Sequence, residues 1–212
     1  MITIIKTMSS TINTNNINNI NTSEIVFKTP VVQTIYNTKI QYKRVNITKS
    51  DLSDLIICTD TLFSFGIQES TLSNTKNCPI CLTDRDGATP DQLQFIEKFN
   101  EIIEHIKSYL LDNRIELCLP DLERSDLKKL NPIYTKDDKS SIYVKMLPFT
   151  KIYDSDNKLM QASELENQFF RGAFAIKLES IFIGSKISVQ LKLLEISVDE
   201  IIQAQVSRPR LL

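Results

Sequence analysis

Two apolar runs near the end of the chain flank Gly184-Ser185. A two-residue loop with glycine first is typical of a type II′ hairpin, so residues 170–198 are predicted to form one, with Ile183 paired to Lys186. In this register the buried face carries the pairs Phe182/Ile187, Ser180/Val189, Leu178/Leu191 and Ile176/Leu193. The exposed face carries Ile181/Ser188, Glu179/Gln190 and Lys177/Lys192.

The exposed face of this hairpin places Lys177 directly opposite Lys192, and like charges in that position are destabilising. A bound phosphate would neutralise the pair. Glu179, which lies diagonal to Lys192, would do so as well, together with solvent screening. The pair alone therefore does not distinguish a binding site from an ordinary exposed surface.

Short β-branched and aromatic runs predict strands earlier in the chain. Residues 31–36 and 39–47 indicate two strands joined by a turn, and residues 51–59 and 61–67 are also strand-like. Gly66 marks a bulge or a close backbone approach. Residues 68–78 are predicted to be a polar loop, residues 140–148 a strand, and residues 150–168 a polar connection.

A single long helix is predicted at about residues 89–113. Thr89 is a suitable N-cap and Pro90 occupies the first helical position, where proline is favoured. Apolar residues then recur at spacings of three and four, which indicates an amphipathic helix: Leu93, Ile96, Phe99, Ile103, Ile106 and Leu110.

Strands, one long helix and a final hairpin predict an α+β fold with mostly antiparallel strands. This fold is either a small barrel of the oligonucleotide-binding (OB) type, with its helix between the third and fourth strands, or a strongly curved sheet packed on the helix. One domain is expected over residues 25–200. The Asn/Thr-rich residues 1–24 are expected to be a disordered leader, and residues 201–212 a basic tail.

The composition is ordinary for a globular protein, with 42% hydrophobic and 24% charged residues. Lys and Arg number 25 against 26 Asp and Glu, so a nucleic-acid-binding surface would have to concentrate its basic residues. No run is long enough to span a membrane, and no secretory signal is recognisable. Together with only four cysteines, this predicts an intracellular protein without a membrane partner.

Cys78-Pro79-Ile80-Cys81 has the spacing of half a zinc site. Two further ligands would have to come from Cys58, Cys118 and His105, the single histidine, so a buried structural role for the cysteines is favoured over zinc. The four glycines form no phosphate-binding loop, and His105 lies within the predicted helix. We therefore predict no metal, no cofactor and no enzymatic activity.

Aromatic residues alternate with basic ones on the predicted strands, a pattern typical of proteins that stack single-stranded bases in a positive groove. Tyrosine and phenylalanine also fill ordinary cores, which is the alternative. Residues two apart on a strand share a face, so Tyr42 is expected to point with Arg44, and Tyr143 with Lys145. The candidate binding residues are Tyr42, Lys43, Arg44, Phe63, Phe65, Tyr143, Lys145, Lys151, Tyr153, Arg171, Lys177 and Lys192.

Several blocks in this order resemble a protein family of the nucleo-cytoplasmic large DNA viruses: YKRVNI, DLIICTDTLFSFGIQE, CPICL, the helix, DLKKLNPIY, IYVKM and SIFIGSKISVQLKLLE. Its members look like single-stranded DNA-binding proteins built on an OB barrel. The resemblance covers residues 36–195. It implies a non-enzymatic protein that coats unwound DNA in viral replication, recombination or repair, in the host cytoplasm or virus factory.

The chain departs from that pattern at its end, because many replicative single-strand binders have an acidic tail whereas this chain ends in SRPRLL. The departure leaves a virion-packaged or accessory role open, and RNA, homo-oligomers and replication proteins also stay open as partners. A different class of function is a structural protein that makes protein contacts, for example as a homodimer through Ile181, Ile183 and Leu194. A zinc-stabilised domain is a third hypothesis.

Overall fold

The structure is a computed structural model that describes residues 16–35, 38–70 and 75–202. In chain order these residues form β1 (Ile25–Phe27), β2 (Val31–Thr34), β3 (Gln41–Lys49), β4 (Ile56–Cys58), β5 (Leu62–Ser64), β6 (Gln68–Glu69), β7 (Lys76–Cys81), α1 (Pro90–Asp112), β8 (Tyr134–Lys136), β9 (Lys139–Tyr153), β10 (Phe169–Ile183) and β11 (Ile187–Ile202). Short 3₁₀ turns cover Ile17–Asn19, Thr22–Glu24, Arg124–Lys129 and Ala162–Leu165.

Five strands close into a ring in the order β5, β7, β9, β11 and β10, because β10 pairs with β11 on one side and with β5 on the other. Within the ring only β9 and β11 are parallel. The other strands extend the sheet: β3 pairs with β10 and carries β1 and β2, while β4, β6 and β8 pair with β10, β7 and β9.

The predicted α+β class is confirmed: the sheet is mostly antiparallel, strongly curved and ring-like, and it is accompanied by one long helix. The helix lies between two groups of strands, as predicted, but not at the position expected for an OB barrel. α1 lies between β7 and β9, the second and third ring strands in chain order, rather than between the third and fourth.

The C-terminal hairpin has a longer loop than predicted. Ile183 pairs with Ile187, so the loop is the three residues 184–186. The pairs predicted nearest the tip are therefore wrong. The observed pairs there are Phe182/Ser188, Ile181/Val189 and Ser180/Gln190. Ile181 and Ile183 face the core, and Phe182 is half-buried on the other side of the strand.

A β-bulge at Glu179 corrects this shift further along the hairpin. The bulge leaves Glu179 without a cross-strand partner on β11, so the two strands return to the predicted register. The pairs Leu178/Leu191, Lys177/Lys192 and Ile176/Leu193 are thereby confirmed.

The helix begins as predicted. The Thr89 hydroxyl accepts a hydrogen bond from the Gln92 backbone N–H (3.2 Å), and the Gln92 side chain accepts one from the Thr89 N–H (3.0 Å). This reciprocal capping box satisfies two of the N–H groups that a helix leaves unpaired at its start.

The buried face of α1 is partly different from the predicted stripe. Phe99, Ile103, Ile106 and Leu110 are buried as expected, and Phe95 and Ile102 join them. Leu93 is exposed, because the apolar face that starts at Phe95 leaves it on the flank. This face of the helix and the inner face of the ring share one hydrophobic core, which includes Phe170 and Phe174.

Part of the predicted leader is folded. Residues 1–15 lie outside the described residues, but Asn16 caps a 3₁₀ turn and Ile17 is buried in the same core as the helix. Contacts with the core therefore begin before the expected boundary at residue 25. At the other end β11 continues to Ile202, and residues 203–212 lie outside the described residues.

The predicted polar segments are shorter in the structure. β6 and β7 occupy parts of the expected loop at 68–78, of which residues 71–74 are not described, and β9 continues through Pro148 to Tyr153. The close backbone approach expected at Gly66 is confirmed. A Cβ atom there would lie 2.6 Å from the backbone oxygen of Gln168, and φ is +88°.

Candidate nucleic-acid interface

The outer surface of the ring brings an aromatic cluster and a cation together. Cross-strand pairing aligns Arg171 of β10, Phe63 of β5, Cys81 of β7 and Ser141 of β9 in one row. Each of these residues points away from the core, because alternate strand positions share a face.

Three phenylalanines meet next to this row. The ring centroid of Phe63 lies 5.2 Å from that of Phe65 and 5.7 Å from that of Phe169, and the centroids of Phe65 and Phe169 are 6.0 Å apart. Phe65 and Phe169 are 44% and 40% exposed, so a large apolar surface faces outward. Exposed aromatic faces of this kind can stack on nucleobases.

A cavity of about 490 Å³, which we call the aromatic cavity, opens beside this cluster. Hydroxyl groups and the Cys81 thiol lie among its walls, and four basic side chains surround it. The lining residues are Phe63, Phe65, Cys81, Thr83, Asp84, Arg85, Tyr134, Lys136, Lys139, Ser140, Ser141 and Arg171. Apolar walls with cations around them suit a base and its phosphate.

One carboxylate within the cavity connects it to the start of the helix. Asp84 Oδ1 accepts a hydrogen bond from an Arg171 guanidinium nitrogen at 3.1 Å, and its Oδ2 accepts one from Gln92 Nε2 at 3.0 Å. Gln92 also completes the capping box with Thr89. The position of Arg171 is therefore fixed by the helix cap.

A second group of cations, the lysine row, crosses the ring further along β9. Lys145 of β9 pairs with Lys192 of β11, which pairs with Lys177 of β10. Lys177 Nζ lies 2.7 Å from Asp54 Oδ1, whereas Lys192 Nζ lies 3.7 Å from Glu179 Oε2. Burial lowers the pKa of Lys192, which the nearby Glu179 partly opposes.

The structure separates the predicted basic residues of β3. Tyr42 and Arg44 share a face, as expected: the Tyr42 ring packs on Phe182, and Arg44 forms an ion pair with Glu179 at 2.7 Å. Lys43 lies on the other face, where its amine donates a hydrogen bond to the backbone oxygen of Leu117 at 2.7 Å. Of the three candidate residues of β3, Lys43 is thus the one that faces away from the other two.

The predicted residues of β9 fall into two sets. Tyr143 is 60% exposed and lies between Ser141 and Lys145 on the outer face, so it connects the aromatic cavity with the lysine row. Lys151 and Tyr153 follow Pro148 and pair with Glu195 and Ser197 at the far end of β9. The fold therefore does not bring them to the cavity.

Sequence reasoning missed Phe169 of the phenylalanine cluster and several residues that line the cavity: Asp84, Arg85, Tyr134, Lys136 and Lys139. Phe169 lies two residues before the candidate Arg171, and Tyr134 lies two residues before Lys136, so the same alternation of aromatic and basic residues was present. Their convergence depends on pairing between strands that are distant in sequence.

The cysteines of the CPIC segment do not converge on one point. Cys78 and Cys81 are three positions apart on β7, so they lie on opposite faces of the strand. Burial raises the pKa of the Cys78 thiol to about 12, which disfavours the thiolate that zinc binds. Over residues 16–35, 38–70 and 75–202, no group of three or more His, Cys, Asp or Glu side chains is placed to hold a metal.

The apolar surface predicted for the alternative, a homodimer, is not exposed in the structure. Ile181 and Ile183 are buried in the core and Leu194 is half-buried, so the predicted apolar surface does not exist as an exposed patch.

The fold is similar to that of a single-stranded DNA-binding protein. The match is the crystal structure of gp2.5, a single-stranded DNA-binding protein encoded by bacteriophage T7. The TM-score is 0.50 at 11% sequence identity, over 72% of this chain and 90% of that one. At this identity the likeness concerns the fold alone.

Among the described residues, no helix has both the length and the hydrophobicity that a membrane span requires.

The chain belongs to the DUF2738 family, described as a protein of unknown function, whose model matches residues 19–212. It is also 23% identical over 164 residues to the "Early 31 kDa protein" of Frog virus 3 (isolate Goorha). This match covers 68% of the chain and spans 63% of the length of that relative.

Proposed function

We propose that the chain is a non-enzymatic protein that binds single-stranded DNA, largely without sequence preference, on the outer surface of β5, β7 and β9. The five-stranded ring is then an OB barrel, a fold that binds oligonucleotides on one face of its sheet and on the loops beside it. The proposed setting is the replication, recombination or repair of viral DNA.

The observation that carries the proposal is the aromatic cavity. Three clustered phenylalanines supply stacking surfaces, while Arg85, Lys136, Lys139 and Arg171 supply charge for the phosphates. Stacking tolerates every base because each has a π-face, so this arrangement favours single strands over duplex without reading sequence. The similarity of the fold to a single-stranded DNA-binding protein and the viral origin of the matched relative support the same function.

The test is fluorescence anisotropy with a labelled oligo-dT, in a salt series and with duplex DNA as competitor. Phe65→Ala removes an exposed ring of the cluster without opening the core, since Phe65 is 44% exposed. Because a base–aromatic stack is worth about 1–3 kcal/mol, we expect its affinity to fall by about 5- to 150-fold.

Phe149→Ala is the matched control, because Phe149 is also an exposed phenylalanine (68%) but lies outside the cavity. It should bind like the wild type. The proposal fails if the wild type does not bind oligo-dT at low salt, or if duplex DNA displaces the strand as well as single-stranded competitor does.

A further inference from the structure

The lysine row lies apart from the aromatic cavity but on the same outer surface. Ser141 lines the cavity and Lys145 begins the row, and both are on the outer face of β9. They are four positions apart on the strand, which corresponds to about 13 Å. Tyr143 lies exposed between them, so a chain leaving the cavity along β9 would pass over this ring to the lysines.

The charges in the row are only partly neutralised. Lys177, Lys192 and Arg44 lie against two carboxylates, Asp54 and Glu179, and Lys145 is the cross-strand neighbour of Lys192. Asp54 forms an ion pair with Lys177. Glu179 is therefore shared by two cations, Arg44 at 2.7 Å and Lys192 at 3.7 Å. The cluster therefore keeps a local positive excess.

Glu179 owes its position to the bulge in β10. The extra residue there has no partner on β11, and its carboxylate lies between Arg44 of β3 and Lys192 of β11. Bulges are common next to functional sites, where they redirect a side chain. The side chain of Lys192 is only 12% exposed, and a cation that is desolvated to this extent gains from an anionic partner.

We propose that the lysine row is a second contact for the strand held in the aromatic cavity, at which a backbone phosphate replaces the Glu179 carboxylate. This inference rests on the proposed function. In the free protein Glu179 occupies the position of the anion, and in the complex the phosphate takes over Lys192 and Lys145. The cavity thus holds bases, while the row holds only the backbone further along the strand.

The test compares two lengths of labelled oligo-dT: one of about three nucleotides, which the cavity alone can hold, and one of about twelve, within the ~4–16 nucleotides that one OB fold covers. Lys145→Glu should lower the affinity for the longer strand by roughly three- to tenfold and reduce its salt slope by about 1, but leave the short strand unchanged. Glu179→Gln should raise the affinity for the longer strand, because it removes the competing carboxylate at almost constant shape.

Lys128→Glu is the control for the change in net charge, because Lys128 is an exposed lysine in the 3₁₀ turn that follows the helix. It should have the same small effect at both lengths. Circular dichroism of each variant verifies that it is folded.

The second contact is refuted if Lys145→Glu weakens both lengths equally or neither, or if Glu179→Gln weakens the longer strand. If Phe65→Ala still weakens the short strand in that case, the proposed function stands without it. If the wild type binds neither length, both proposals fall together.

Discussion

Cys78 lies inside the ring, where its Sγ is 3.3 Å from the Ser64 hydroxyl and burial raises its pKa to about 12. In the unfolded chain the same thiol has its ordinary pKa of 9.0. The unfolded chain therefore releases this proton between about pH 9 and pH 12 while the native state keeps it. The stability that depends on this thiol is complete below pH 9 and is lost as the pH rises through that range.

Cys78→Ala should consequently cost less stability at high pH than at neutral pH. We expect the free-energy difference between the wild type and the variant to shrink by about 1 kcal/mol from pH 8 to pH 10, since one unit of pKa corresponds to ~1.4 kcal/mol. Urea unfolding at the two values measures this. An equal cost of Cys78→Ala at both values would contradict the assignment.

At the level of single residues, the face of the strand on which a side chain lies could be predicted, but the groups that it contacts could not. Tyr42 and Arg44 do share a face, because alternation along a strand is a local property. That Lys43 would meet the Leu117 carbonyl depends on the segment after the helix, 74 residues away in sequence. The pair Lys177/Lys192 was predictable, whereas the ion pair of Lys177 with Asp54 was not, because Asp54 is distant in sequence.

At the level of elements, the helix cap is a sharp point of sequence control. Thr89→Ala removes the hydroxyl that accepts from the Gln92 N–H, and N-cap substitutions of this kind cost about 1 kcal/mol. We expect that loss in urea unfolding at neutral pH. Ser108→Ala serves as the control, because the Ser108 hydroxyl bonds only to a carbonyl within the exposed helix surface, and it should change stability by less than about 0.5 kcal/mol. Equal effects would show that the cap is not important.

The elements also show why a correct pair can follow from an incorrect loop. The expected two-residue turn shifts the hairpin by one position, and the bulge at Glu179 shifts it back, so the prediction is wrong at the tip and right from Leu178 to Ile176, after which the register shifts again. No local pattern indicated the bulge. The aromatic cavity has the same origin, since Phe63 and Arg171 were predicted singly but meet only through the pairing of β5 with β10.

At the level of the whole molecule, the helix and the ring share one core. We therefore expect a single cooperative unfolding transition, with the same midpoint by far-ultraviolet circular dichroism and by tyrosine fluorescence. A helix that unfolded separately would give two midpoints. Addition of excess oligo-dT should raise the midpoint, because a ligand that binds only the native state stabilises it, whereas duplex DNA should have little effect.

The sequence indicated the class of this architecture but not its closure. Strands, a helix and a hairpin predicted a curved, mostly antiparallel sheet, and that is what forms. The parallel pairing of β9 with β11 completes the ring, and periodicity contains no information on which strands become neighbours.

The closure of the ring has a consequence for how the protein is made. β5 and β7 leave the ribosome early, but β5 finds its second neighbour only in β10, about a hundred residues later. Contacts between residues so distant in sequence form slowly, and unpaired strand edges are prone to aggregate. During synthesis the first half of the chain therefore depends on the last quarter, and translation that stops before β10 should leave a nascent chain that needs protection by chaperones.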